Sequence, residues 1–562
     1  MAASEVADAV MRKDAAQLAH LIRAAANVNS PQPDGSTALH WAAYEGDARA
    51  TTALLAAGAD SSARTDTGIT PLALACESGS ADVVKLLLGA KADPNQPLKN
   101  GETPLMMAAR TGRVPVLKLL LAAGAQIDAR ETLRSTTALM WAAANANAEA
   151  VRYLISKGAN VGLRSAAVKP GRAPYLADSG RARIIEFIHG VGQGGTTVEQ
   201  DADAKTPGGK QSEAETQAAH RRLEAEIAAA KVALAKFPPD ADLKRDNRQW
   251  GGLTALHFAA REGDLEVVKA LLAGGADINE TSEFGWTALL VATQNRYYRL
   301  GVHLLEHGAN PNLANGGGWT PLYIATDNRN IEGGDYPTRK PDMDHLEFIR
   351  RLLAAGALTN LRMRSSTETR TVFTHQWLNE EGATPFLRAA QSGDLVLMKV
   401  LLEHGADASI ATDHKVTPLM VAAGIGWVEG VTYEWSPQAT YDTVKFLLEL
   451  GADVNAQDTL DGRSALMGAA HKGRNDVIQL LVEHGADLSL HDIGSRDSIH
   501  VLAGVSWQAI DYSDGLVRVG VQSAIAHPET SALLRRLMKE RGLPVPAEGR
   551  TLASICVTDL CK

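Results

Sequence analysis

Cysteine is nearly absent: Cys76, Cys556 and Cys561 are the only three in 562 residues. That excludes a disulfide scaffold and a Cys-rich zinc fold. Cys76 lies in an apolar helical run and reads as a small core residue, while Cys556 and Cys561 read as part of a free tail. Aromatic residues are scarce at 5%, although hydrophobic residues reach 45%. This favours close-packed small helices over a large aromatic core and excludes wholesale disorder. An excess of positive charge is also missing, with 56 Lys and Arg against 65 Asp and Glu, a formal net charge of −9. Without a basic field, general nucleic-acid binding is not expected. No stretch approaches the ~20 consecutive apolar residues a spanning helix needs, so no membrane span is expected. The opening MAASEVADAVMRKDAAQLAHLI mixes acids and bases and lacks a signal core. A cytoplasmic location is the expectation for the chain as given. The AAS start would also suit a mature end whose leader has been removed, giving a periplasmic or exported protein.

What is present is a period. Gly35–Ala43 (GSTALHWAA) recurs as GITPLALAC from Gly68 and GETPLMMAA from Gly101, and TTALMWAA follows at Thr136–Ala143. Thr37, Thr70, Thr103 and Thr137 mark the first block. Thr254, Thr287, Thr320, Thr384, Thr417 and Ser464 mark the second. In each copy Asp-Gly, Asn-Gly or Gly-Gly often supplies a turn able to take positive φ. Thr then caps a short helix with Pro or Ala at its first position. A second helix follows, as in DVVKLLLGAKAD and DVIQLLVEHGAD. One helix pair cannot bury its apolar face alone, so the copies must stack. The expected fold is therefore all-α: an array of about ten clear helix–turn–helix copies with degenerate capping copies.

On these motifs, Thr-Pro-Leu-His and Leu-Leu-x-x-Gly-Ala-Asp, the chain resembles the ankyrin-repeat family, in the style of bacterial multi-repeat members with inserted loops. The resemblance implies a solenoid that binds other proteins through hairpin tips and the concave face of the first helices, with no catalysis and no cofactor. It also implies that His40 and His257, at the fourth motif position, are structural hydrogen-bonders. Most copies depart from the family there, with Ala73, Met106, Met140, Leu290, Tyr323, Leu387, Met420 and Met467. The domain reading places a capping half-repeat and first block at 1–190, with 168–190 as a worn fifth copy. A linker and one long helix occupy 191–250, with apolar seam Leu223, Ile227, Ala230 and Leu234. A second block fills 251–543, its last copy opening at Asp497, and a tail covers 544–562.

Motifs with chemical potential are few. HLLEH at His303–His307 fits the inverted zinc-protease signature, two histidines for metal and Glu306 as base. Glu-His also ends the second helix at His404 and His484, so the expectation is no metal site. GVGQGG at Gly190–Gly195 follows a helix rather than a strand and is not a dinucleotide loop.

The informative feature is the set of insertions at 328–344, 424–439 and 504–526, read as loops between the first and second helix of their copies. A fourth insertion, 363–380, falls between copies. The loops carry Tyr336, Trp427, Tyr433, Trp435, Trp507 and Tyr512, with acids including Glu429 and Glu434. Rigid Tyr and Trp suit an interface core. The expected function is a non-catalytic, monomeric interaction scaffold for a protein partner with basic and apolar surface. Glycan or small-ligand binding on Trp427, Trp435 and Trp507 is the alternative. A hydrolase using His303, Glu306 and His307 or the loop carboxylates is the third reading.

Overall fold

The computed structural model describes residues 4–168, 250–330, 339–365, 378–429, 432–493, 506–517, 519 and 525–550, with Ala228 alone inside the long gap. Among them are 24 helices in twelve antiparallel pairs and one two-stranded ladder. They form two units. The first gathers residues to 168, 250–316 and 339–344, and the second holds 317–330 and the described residues from 345 onward.

Local sequence explains each pair. Thr70 is extended (φ −109°, ψ 157°), and its hydroxyl accepts the Ala73 N–H at 3.2 Å, opening the helix Pro71–Ser78. Thr103, Thr137, Thr287, Thr320, Thr384 and Thr417 cap their helices in the same way. Each such cap is worth about 1 kcal/mol. The turn before Thr37 needs Gly35, at φ +82°, because a Cβ there would meet the Asp66 backbone N at 2.9 Å. That closeness is the ladder between copies, in which Asp66 N donates to Asp34 O.

Stacking buries one leucine per first helix in the first unit: Leu39, Leu72, Leu105, Leu139, Leu256 and Leu289, each at most 2% exposed. Every such burial is worth roughly 1.5–3 kcal/mol. A polar clamp ties the far ends of the pairs together. Asn29 Nδ2 donates to Gly58 O at 3.0 Å, and its Oδ1 accepts Asp60 N–H at 2.7 Å. Asn95, Asn279, Asn360 and Asn455 repeat this bridge to the next helix end.

Two features of the organisation rest on contacts between copies distant in sequence. The helix Ala255–Glu262 packs directly on Ala138–Ala144, and Leu265–Ala273 packs on Ala148–Ser156. The copies at Thr137 and Thr254 are thus consecutive neighbours in one unit, and the division at 190/251 is not where the units part. The physical reason is the two-stranded ladder: Ala167 pairs with Gly251 and Val168 with Trp250, antiparallel. This brings the ends of the intervening segment side by side, where an ordinary inter-repeat hairpin would stand. Residues 169–249, including the presumed fifth copy and apart from Ala228 the long helix, lie outside the described residues.

The last copy also opens elsewhere. Gln508, not Asp497, is the N-cap of the helix Ala509–Ser513, in a reciprocal box with Asp511, and this helix packs on Ala465–His471. The stretch 504–526 is therefore not a loop between helices but contains the first helix. Asp497 and His500 lie outside the described residues.

Because the segment's ends are already paired, replacing residues 169–249 by a short Asn-Gly turn is expected to leave the first unit folded. Its thermal midpoint should stay within a few degrees by circular dichroism. Loss of the unfolding cooperativity of the copies at Thr137 and Thr254 would contradict direct stacking.

Candidate interaction surface

The inserted-loop residues divide sharply. Tyr336 lies outside the described residues. Tyr512 is fully buried; its hydroxyl donates to Asp492 Oδ2 at 2.6 Å and accepts from Arg463 Nε at 3.2 Å. Trp507 is 7% exposed, and its backbone N–H is held by Asp492 Oδ1 at 2.8 Å. Both therefore belong to the stack and are not available as loop-borne binding groups.

Trp427, Tyr433, Glu434 and Trp435 do come together, on the segment inserted before the helix Pro437–Glu449. Trp435 is 43% exposed. Its indole N–H donates to Asn330 Oδ1 at 2.9 Å, and the Arg329 guanidinium sits 4.6 Å over its ring. Tyr433 meets it edge-on at 5.8 Å. Glu434 is ion-paired with buried Lys472 and accepts from the Thr440 hydroxyl at 3.2 Å. Burial, with Arg474 nearby, pushes the Lys472 ammonium down to about 7. Trp427 is half-buried, with Lys472 Nζ 5.7 Å over its ring, while Glu429 is exposed. Most of these groups fasten the insertion to the first helices, as an insertion of this length requires. Among them, Trp435 presents the most ring to solvent.

Charged residues of the first insertion are engaged too. Asp342 Oδ1 accepts the Arg299 N–H at 3.1 Å, and the Arg339 guanidinium lies 4.0 Å over Tyr297.

Comparing the same register across copies shows a surface that the insertions had concealed. The residue four positions after each cap differs in exposure between the two units. In the first unit the row reads Trp41, Leu74, Met107, Trp141, Phe258 and Val291. All are half-exposed except Met107, at 5%. Their helices stack in unbroken order, Ala138–Ala144 against Ala255–Glu262. Tyr44, 54% exposed, meets Trp41 edge-on at 6.2 Å. Arg110 lies 5.7 Å over Trp141 and Arg261 5.2 Å over Phe258. Arg110 is paired with Glu77 and Arg261 with Glu262, so the row is apolar and flanked by charges that are already neutralised.

In the second unit the same register is filled. Ile324, Arg388, Val421, Gly468 and Tyr512 are all buried. Arg388 is enclosed by Asp327 Oδ1 at 2.7 Å, Asn330 O at 2.7 Å and Ser392 Oγ at 2.9 Å. A Cβ on Gly468 would come within 2.8 Å of Ile425 N, because the inserted backbone runs directly over it. The insertions thus close the first-helix face here, whereas the first unit leaves it open. The sequence signal was available: reading the fifth motif position down the copies gives two tryptophans and a phenylalanine among its first six residues.

The motif histidines are structural in geometry. Thr37 N–H donates to His40 Nδ1 at 3.1 Å, and His40 Nε2 donates to Ile69 O of the next copy at 3.0 Å. His257 repeats this with Thr254 and Trp286 O, at 3.1 and 2.7 Å. In two of the copies where methionine replaces histidine, sulfur takes the first role: Thr103 N–H reaches Met106 Sδ at 3.5 Å and Thr417 N–H reaches Met420 Sδ at 3.4 Å. A thioether has no proton for the second bond.

With the geometry in place, comparison with known proteins decides the family. A family model described as ankyrin repeats in three copies matches residues 6–97, 84–165, 217–315, 256–336 and 436–503, and a single-repeat model matches 381–413. The chain belongs to the ankyrin-repeat family. Over 188 residues, 29% of this chain, the protein is 27% identical to the transient receptor potential cation channel subfamily A member 1 of Drosophila melanogaster, of which the match covers 15%. It is 35% identical over 121 residues to human ankyrin repeat domain-containing protein 63, covering 21% of this chain and 29% of that one. Identity to the mouse B-cell lymphoma 3 protein homolog is 27% over 165 residues, 28% of this chain and 34% of that one. The matches thus span about a third or less of each of these relatives. Among the described residues no helix is long and apolar enough to cross a membrane.

Proposed function

We propose that this ankyrin-repeat protein is a non-catalytic interaction scaffold that grips a protein partner on the open first-helix face of its first unit. The observation that carries this reading is the register row Trp41, Leu74, Trp141, Phe258 and Val291, half-exposed on five of six consecutive first helices, with buried Met107 between Leu74 and Trp141. Large aromatic anchors such as Trp41, Trp141 and Phe258 are what interface hot spots are made of. The flanking guanidiniums are already paired, so a partner gains by covering apolar surface rather than by supplying charge. Its affinity should depend only weakly on salt. Trp435, with its ring exposed and its edge fixed by Asn330, supplies a separate contact on the second unit.

The test is affinity capture from the source cell with wild type, a Trp141→Ala/Phe258→Ala variant and a Trp435→Ala variant, followed by titration of the purified partner. The double variant is expected to weaken binding by 2 kcal/mol or more, roughly thirtyfold, with its thermal midpoint shifted only a few degrees. A partner held equally by wild type and the double variant but lost by Trp435→Ala would move the surface to the second unit. A partner indifferent to both sets would overturn the reading.

A further inference from the structure

Three second helices end in Glu-His-Gly, at His307, His404 and His484. In each, the histidine Nδ1–H donates to the carbonyl of the residue four before it: His303 O at 2.8 Å, Val400 O at 2.9 Å and Leu480 O at 2.8 Å. A carbonyl only accepts, so Nδ1 carries the proton and Nε2 keeps its lone pair. Backbone fixation of this kind is how metal-ligating histidines are oriented. In one copy alone the residue four positions before is itself a histidine. His303 and His307 lie on one helical face with ring centroids 4.0 Å apart. His303 Nε2 is buried and accepts no hydrogen bond.

Both rings border a hollow of about 600 Å³ between this helix and its neighbour, with Leu272, Ile278, Asp277 and Lys269 on its other walls. Lys269, the one cation on that wall, is paired with Glu266 at 2.9 Å.

We propose that His303 and His307 form a two-histidine chelate for a first-row divalent cation of the Ni²⁺, Cu²⁺ or Zn²⁺ class. The second nitrogen binds intramolecularly once the first has bound, which is the source of affinity. Two imidazoles select Cu²⁺ over Ni²⁺ and Zn²⁺ and leave Mg²⁺ and Ca²⁺ unbound, because those hard ions prefer oxygen. Among the described residues no group of three His, Cys, Asp or Glu side chains is placed to hold an ion. The remaining coordination positions therefore fall to water or to a donor from a bound partner. This is a binding site and not the hydrolytic centre the motif suggests.

The test is calorimetric titration of NiCl₂ into the full chain without a histidine tag, in wild type and in the His303→Ala, His307→Ala and His404→Ala/His484→Ala variants. The expected result is one saturable site in wild type, weakened at least about tenfold in each of the first two and unchanged in the third. MgCl₂ should give no isotherm with any of them, and Ni²⁺ should raise the thermal midpoint of wild type but not of His303→Ala. Equal binding by wild type and His303→Ala would overturn the proposal. So would loss in His303→Ala with retention in His307→Ala, since that is not a chelate, or the absence of a saturable site in wild type.

Discussion

Arg388→Ala is expected to destabilise the second unit by about 3–5 kcal/mol, the cost of leaving a buried charge without its counter-ion. The guanidinium side chain is 3% exposed and that of Asp327 1%. Removing Arg388 takes its guanidinium from the Asp327 carboxylate and a donor from Asn330 O. Asn330 in turn holds Asp394 at 3.2 Å, and Asp394 pairs with Arg329 at 2.7 Å beneath the Trp435 ring. The loss should therefore reach the inserted segment, visible as a changed Trp435 environment in fluorescence before the main transition. Urea unfolding of the second-unit transition measures the energy. The paired replacement Asp327→Asn/Arg388→Met removes both charges together and should recover part of the loss, because it leaves no buried charge facing the gap. If the single variant costs less than about 1 kcal/mol, the network is solvated and the closed face of the second unit is not closed.

How much was legible in the chain follows from the range of each signal. Caps, turn glycines and leucine rows are set by residues within one copy, so a 33-residue comparison finds them: Thr70, Gly35 and Leu72 need no tertiary information. The stacking of the Thr254 copy on the Thr137 copy depends on the pairing of Ala167 with Gly251, 84 positions apart in sequence, and no local pattern announces it. The last copy was misplaced because Gln508 replaces the capping threonine while DSIH at Asp497 imitates the motif. The binding residues were chosen by composition, since aromatic loops stand out in a chain poor in aromatics. Composition does not say which way a ring faces. Tyr512 points into the stack towards Asp492, whereas Trp41 and Trp141, sitting inside ordinary motif copies, face outward. That difference between an open and a filled face arises from insertions packing onto other copies.

Acid is expected to weaken the first unit through His257. Burial holds the His257 imidazole down to about 4, against an ordinary value of 6.5, because protonation would place a charge between stacked helices and abolish the acceptor that Thr254 N–H uses. The folded state then binds fewer protons than the unfolded one between pH 6.5 and 4. Stability is retained above that window and falls as pH drops through it, by about 3 kcal/mol in total. His40, lowered by the same burial, adds in the same direction. Asp34 and Asp60, held below the ordinary carboxylate range by bonds from Ser36 and Ser62, contribute their own loss at still lower pH. The second unit carries Tyr323, Leu387, Met420, Met467 and Asp511 at this position, and none of these is a histidine that must charge. Thermal melts followed from pH 7.5 to 4.5 should show the first-unit transition moving down. His257→Met installs the sulfur acceptor that Met106 already uses. It should cost about 1–2 kcal/mol at neutral pH through the lost bond to Trp286 O, yet flatten the slope between pH 6.5 and 4.5. An unchanged slope in that variant would assign the acid lability to the carboxylates, and His257 would then be already charged or exposed in the fold.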